Sequence, residues 1–235
     1  MHFLLTNDDG IEARGLGALE KAARALPGAT VTVVAPATEQ SQCGHRVTTH
    51  DALLVTKVSA DRYRVNGTPA DCVRIALFAL GLRPDYVLSG VNAGGNMGQD
   101  LFISGTVAGA REAAFHGLPA AAISHYLIRD IRQDWERVAE WTRDLLAELV
   151  AHSLADGEFW NANYPHLPPG PLALPPRVSC HPCRAPLNVA YDTTVLNETD
   201  SSHLYAATYS SRPAEIGSDV AVCFGGHVAV SRLRV

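Results

Sequence analysis

Strand-like and helix-like segments alternate through the first 150 residues, and that alternation narrows the fold to a mostly parallel sheet covered by helices on both faces. Residues 2–6 form a short apolar run that stops at turn-forming residues, as a buried parallel strand does. Leu16, Leu19, Ala23 and Leu26 recur at three- and four-residue steps, which predicts a helix from Gly15 to Leu26. The β-branched run Val31–Ala35 stops at Pro36 and reads as the second strand. Residues 47–66 read as a β excursion, with strands at Leu53–Val55 and Tyr63–Val65 and a turn near Ala60-Asp61. Thr68 and Pro69 open a helix as N-cap and first helical residue. A third strand follows at Tyr86–Leu88, then a helix from Ser104 to His116 closed by Gly117, a strand at Ala120–Ser124 and a long helix from Asp134 to His152.

Beyond residue 165 the character changes. Proline is dense from 165 to 186, and short strands are expected at 188–191, 204–209, 219–224 and 227–233. The expected architecture is α/β: a Rossmann-like, three-layer, mostly parallel sheet over residues 1–165, with an antiparallel β-rich extension over 166–235. That extension would pack on the catalytic domain or serve oligomerisation.

Composition removes several classes of function. No apolar run approaches the roughly 20 residues of a membrane helix, and the first residues read as a strand rather than a signal peptide. Five cysteines, an odd and sparse set with no export signal, point to reduced thiols and a cytoplasmic protein. A net charge of −5 argues against nucleic-acid polymers as partners. It leaves a small phosphate ester open, because a bound cation would dominate the local field.

Ligands of open α/β sheets bind at the carboxyl ends of the strands. Four polar loops fall there. Thr6–Gly10 carries the adjacent carboxylates Asp8 and Asp9, which repel unless a cation lies between them; a plain helix-approach turn is the competing reading. Ala35–His45 supplies Ser41, Glu39 and His45, and would pass for a solvated loop if it stood alone. Ser89–Gly98 is glycine-rich, and its backbone N–H groups could approach an anion; it is neither a P-loop nor a dinucleotide fingerprint. Ser104-Gly105-Thr106 opens a helix, where free N–H groups favour phosphate, although a simple N-cap accounts for Ser104 equally well. Oxygen donors dominate the set, which suits Mg²⁺ or Mn²⁺ better than zinc.

The runs Leu4–Ile11, Val34–Ser41, Val65–Val73, Pro84–Gly94 and Ser104–Ala110, with a later echo at Asn161–Pro165, resemble the SurE family of stationary-phase survival nucleotidases. The likeness is thin from about 166 to 215. The resemblance implies a Rossmann-like phosphatase for nucleoside 5′- and 3′-monophosphates, some members of the family also trimming short polyphosphate. It implies one divalent metal ion held by Asp8, Asp9, Ser41 and Asn92. Phosphate contacts would come from Asn96, Ser104, Gly105 and Thr106, with Asp8 and Asn96 in the catalytic step. Family members usually run on into an exchanged C-terminal arm. Here the sequence ends at Val235, directly after Val228–Leu233, and a homodimer or homotetramer is expected whether or not an arm is exchanged.

The mechanism expected from this set is in-line attack by water activated at the metal, with Asp8 as ligand and base. An aspartyl-phosphate on Asp8 is the lesser reading, because Asp8-Asp9 lacks the Asp-x-Asp spacing of phosphatases that work that way. Phe102 is the expected base contact. Trp135 and Trp141 are expected in the core, Cys180-His181-Pro182-Cys183 is read as structural, and His45 as either a structural hydrogen bond or a proton donor. The alternatives are a nucleotide-binding regulator without turnover and a different Rossmann-like enzyme such as a nucleotide-dependent transferase.

Overall fold

The computed structural model describes residues 1–170 and 173–235. Its proline-dense stretch includes 171–172, which lie outside the described residues. β1 (His2–Thr6) is the axis of the molecule. Leu4 and Leu5 point to opposite faces, as alternation in a strand requires, and both are fully buried in different clusters. Burying each contributes roughly 1.5–3 kcal/mol. β1 pairs in parallel with β2 (Thr30–Pro36) on one side and β5 (Tyr86–Ala93) on the other.

The sheet continues through β6 (Ala120–His125) and β7 (Glu158–Tyr164), both parallel, to β11 (Val228–Arg234), antiparallel to β7, and β8 (Arg177–Ser179). On the far side β4 (Arg62–Val65) joins β2 in parallel and β3 (Val55–Ser59) closes a hairpin with it. The order is β3-β4-β2-β1-β5-β6-β7-β11-β8, a mixed and mostly parallel sheet of nine strands. A separate two-stranded antiparallel sheet, β9 (Tyr191–Val195) with β10 (Ser201–Tyr205), lies outside it and is exposed throughout.

Helices α1 (Arg14–Arg24) and α5 (Trp135–Leu149) cover one face, burying Leu16, Leu19, Trp141 and Leu145 beside Leu5. Helices α2 (Pro69–Arg74) and α4 (Gly105–Phe115) cover the other with Cys72, Val73, Val107 and Ala110. Caps set the starts. Thr68 and Asp71 form a reciprocal capping box with Pro69 in the first turn, Ser104 accepts from the Val107 N–H, and Asp134 from the Arg137 N–H. A short α3 (Asp100–Ile103) precedes α4.

Several expectations change. Residues 219–224 form helix α6 (Asp219–Phe224), not a strand: Ser218 caps the Ala221 N–H, and Val220 and Cys223, three apart, are the buried pair. The strands expected at 188–191 and 204–209 sit at β9 and β10, because an exposed hairpin carries no burial pattern that would mark its ends. β3 starts at Val55, where the expected strand ended. β5 runs on to Ala93, with an irregularity between Ser89 and Asn92, so the first half of the glycine-rich loop is strand. Among the described residues no helix is long and apolar enough to cross a membrane.

Candidate active site

Asp8 follows β1 by two residues and is 4% exposed. The Thr106 hydroxyl donates to its Oδ1 at 2.5 Å, and the Gln40 N–H donates to its backbone carbonyl at 2.7 Å. Burial lifts the Asp8 carboxyl to about 6; the Thr106 hydrogen bond opposes that rise and the charge of Asp9 adds to it. Asp9 is also raised, first by burial; the Ala93 N–H, 3.1 Å from its Oδ2, opposes the rise and Glu39 adds to it. Asn92 lies beyond the β5 irregularity. Its amide nitrogen donates to the Gly94 carbonyl at 2.9 Å, which leaves Oδ1 without a protein donor among the described residues.

The first turn of α4 presses onto Asp8. A Cβ on Gly105 would stand 2.8 Å from Asp8 Cβ and 2.9 Å from Cys43 Sγ, so the backbone there approaches the carboxylate as no other residue type allows. Ser104 is buried at the cap, with Oγ accepting from Val107 at 3.1 Å. Asn96 is buried one strand further on. Its N–H donates to Asn163 Oδ1 at 2.8 Å and its amide nitrogen to Ser124 Oγ at 2.8 Å, while Asn161 and Asn163 donate to its carbonyl. Ser41 stands at the rim, exposed, its hydroxyl donating to Glu39 at 2.6 Å.

Hydrogen bonds and packing thus gather Asp8, Asp9, Gly105 and Thr106, with Asn92 next to the Ala93 N–H that meets Asp9. Ser41 reaches the group through its neighbour Gln40 and not through its own hydroxyl. Asn161 and Asn163 enter the sequence reading only within the echo at Asn161–Pro165 and Ser124 only as a strand end; the alternation of two asparagines along a buried strand was the signal for the pair.

The donors fit a hard divalent cation. Two carboxylates and an amide oxygen are all oxygen ligands, with the Ser41 hydroxyl turned to Glu39 at the rim, and a carboxylate held up to about 6 by burial is the group a cation would stabilise. No cluster of three or more His, Cys, Asp or Glu that could hold a metal occurs among the described residues. Cys180 and Cys183 are free thiols facing Ser231 and the Pro213 carbonyl. Trp141 is buried in the core and Trp135 packs against it. Phe102 is exposed on α3, two residues before Ser104.

A family model described as "Survival protein SurE" matches residues 3–179. A Nostoc sp. protein provisionally named a 5′-nucleotidase is 46% identical over 235 residues, with all of both chains covered. A protein of Citrifermentans bemidjiense named "5′-nucleotidase SurE" is 36% identical, over all of this chain and 93% of its own. The crystal structure of the SurE protein from Aquifex aeolicus superposes with a TM-score of 0.86 at 30% identity, covering all of this chain and 93% of that one. Fold and sequence therefore agree, and the chain belongs to the SurE family.

Proposed function

We propose that this protein is a metal-dependent 5′-nucleotidase that hydrolyses nucleoside 5′-monophosphates, and 3′-monophosphates as a secondary activity, to nucleoside and phosphate. The observation that carries this reading is the Thr106–Asp8 hydrogen bond, which joins the helix N-terminus suited to a phosphate with the carboxylate pair suited to a cation. The names of the relatives support its 5′-nucleotidase part.

Asp8, Asp9, Asn92 and the rim hydroxyl of Ser41 would hold one Mg²⁺ or Mn²⁺. When bound, such an ion neutralises charge on the phosphoryl oxygens and makes water more acidic. The chain's own groups do the rest. The free N–H groups of the first turn of α4, with the Ser104 hydroxyl, present donors to the equatorial oxygens, while the Thr106 hydroxyl holds Asp8 in place. Asn96, held by Ser124 and Asn163, offers its side chain from the neighbouring loop. Asp8, held by the Thr106 hydroxyl at the end of β1, is placed to accept a proton from water. Phe102 offers an exposed ring for the base.

The exposed apolar residues of the β9–β10 hairpin, among them Tyr191, Val195, Leu204 and Tyr205, support a homodimer or homotetramer. The free thiols support a cytoplasmic location. The test is inorganic phosphate release from a panel of nucleoside monophosphates, with Mn²⁺ or Mg²⁺ and with chelator. Release should disappear with chelator and fall at least ~100-fold in Asp8→Asn. Silence across the panel with nucleotide still bound would make the protein a regulator.

A further inference from the structure

Glu112 has a fully buried carboxylate at the middle of α4, and three side chains from three parts of the chain converge on it. Oε1 accepts from Arg74 Nε of α2 at 2.5 Å and from His116 Nε2 at 2.9 Å. Oε2 meets His45 Nε2 at 2.7 Å. A buried carboxylate must be paired, and Arg74 and His116 already suffice for that. The third bond reaches 67 residues back, to the segment that carries Ser41.

His45 has both ring nitrogens engaged. Nδ1 faces Arg111 Nη1 at 3.4 Å and accepts there, which leaves the proton on Nε2, where Glu112 takes it. Arg111 is itself held by the Leu101 carbonyl at 2.6 Å. The Gly44 N–H donates to the Ile103 carbonyl at 2.9 Å, and the Phe115 ring lies edge-on to His45. The segment 40–45 is thereby tied to α3 and α4, the two elements that flank Ser104.

We infer that Glu112 and His45 form a latch that positions the Ser41 loop over the phosphate cradle, and that His45 is a positioning residue rather than the proton donor. The inference rests on the phosphatase reading for its consequences in turnover. Its geometry can be measured without turnover.

The test compares His45→Gln, His45→Ala and Glu112→Gln with the unaltered protein in three measurements: ring nitrogen chemical shifts of His45, Mn²⁺ affinity by electron paramagnetic resonance, and the pH profile of kcat. His45 is about one-fifth exposed, so its variants do not threaten the core. In the unaltered protein the shifts should show the Nε2–H tautomer, and Glu112→Gln should change them. Mn²⁺ should bind at least ~10-fold more weakly in His45→Ala and Glu112→Gln, as loss of a group that orients metal ligands typically causes. Gln can donate its amide N–H where Nε2 did, so His45→Gln should recover Mn²⁺ affinity and kcat to within about threefold and keep the pH profile. Loss of a limb of that profile in His45→Gln, with activity as low as in His45→Ala, would make His45 a catalytic acid and overturn the latch. Unchanged Mn²⁺ affinity in both His45→Ala and Glu112→Gln would overturn it as well. If the unaltered protein released no phosphate, the nucleotidase reading would fall, while the tautomer and Mn²⁺ measurements would still decide the latch.

Discussion

His125, at the end of β6, is 1% exposed, and neither ring nitrogen has a hydrogen-bond partner of good geometry among the described residues. It packs edge-on against Trp135, Trp141 and His166. Burial first, then the neighbouring His166 and Arg137, pull its pKa down to about 3. The folded chain therefore refuses a proton that the unfolded chain accepts below about pH 6.5, and stability falls as pH drops from there toward 3. By pH 5 this one group should cost about 2 kcal/mol relative to pH 7. Urea unfolding of His125→Phe should lack that share of the decline; an identical slope in both proteins would assign the acid sensitivity elsewhere. Such residues also mark how far the site could be read in advance. Asp8, Asp9, Asn92 and Thr106 stand where a strand ends or a helix begins, so local chemistry singles them out. Glu112 sits among alanines in α4, and two of its three partners lie 38 and 67 residues away in the chain. His116, one turn on, signals a local i,i+4 pair and nothing of the two distant partners.

Helix α4 does two tasks with one face. Gly105 and Gly109, four apart, lie on the side that meets β1 and β5, and a Cβ on Gly109 would stand 2.8 Å from Ser89 Oγ and 2.9 Å from Thr6 Cγ2. Gly109→Ala should therefore push the helix off the sheet and cost about 1–3 kcal/mol of stability, read from denaturant unfolding. Gly105→Ala clashes with Asp8 instead, and should weaken Mn²⁺ binding and turnover more than stability; equal losses in both variants would mean that the cradle merely follows the packing. At this scale the parallel core was readable from period alone, since buried strands and amphipathic helices differ plainly. β7 escaped because Asn161 and Asn163 disfavour a strand by composition, their amide N–H groups being met by the Asn96 carbonyl from another loop. α6 escaped because Val220 and Val222 favour a strand, and the Ser218 cap with burial of Val220 and Cys223 overrides them.

Across the whole molecule, the glycine-rich loop that bears Asn96 is held by residues more than a hundred positions later. Arg212, whose side chain is 5% exposed, grips Asp100 through both terminal nitrogens at 2.5 and 3.2 Å, and its guanidinium lies 4.5 Å from the Tyr209 ring centroid. The Tyr209 hydroxyl lies 2.8 Å from Asp100 Oδ2 and 3.0 Å from the Gly95 carbonyl, with its ring stacked on Tyr126. Asp219 accepts the Gly98 N–H at 2.8 Å, and burial raises its carboxyl against the three backbone N–H groups and the Arg212 charge that hold it down. Residues 209–219 thus form a strap across the loop, so the stability of the C-terminal segment and the placing of Asn96 are one property. Arg212→Ala would leave the Asp100 carboxylate largely buried without its cation, a change that costs about 3–5 kcal/mol when such pairs are broken from one side. Amide exchange in residues 94–100 should quicken in that variant and KM for a nucleoside monophosphate should rise, because the loop loses its anchor before the sheet does. Arg212→Lys restores the charge without the planar fork and should recover only part of the loss. Unaltered exchange in the loop of Arg212→Ala, with stability lost all the same, would show that the strap serves the C-terminal segment alone and that Asn96 is placed by Ser124 and Asn163.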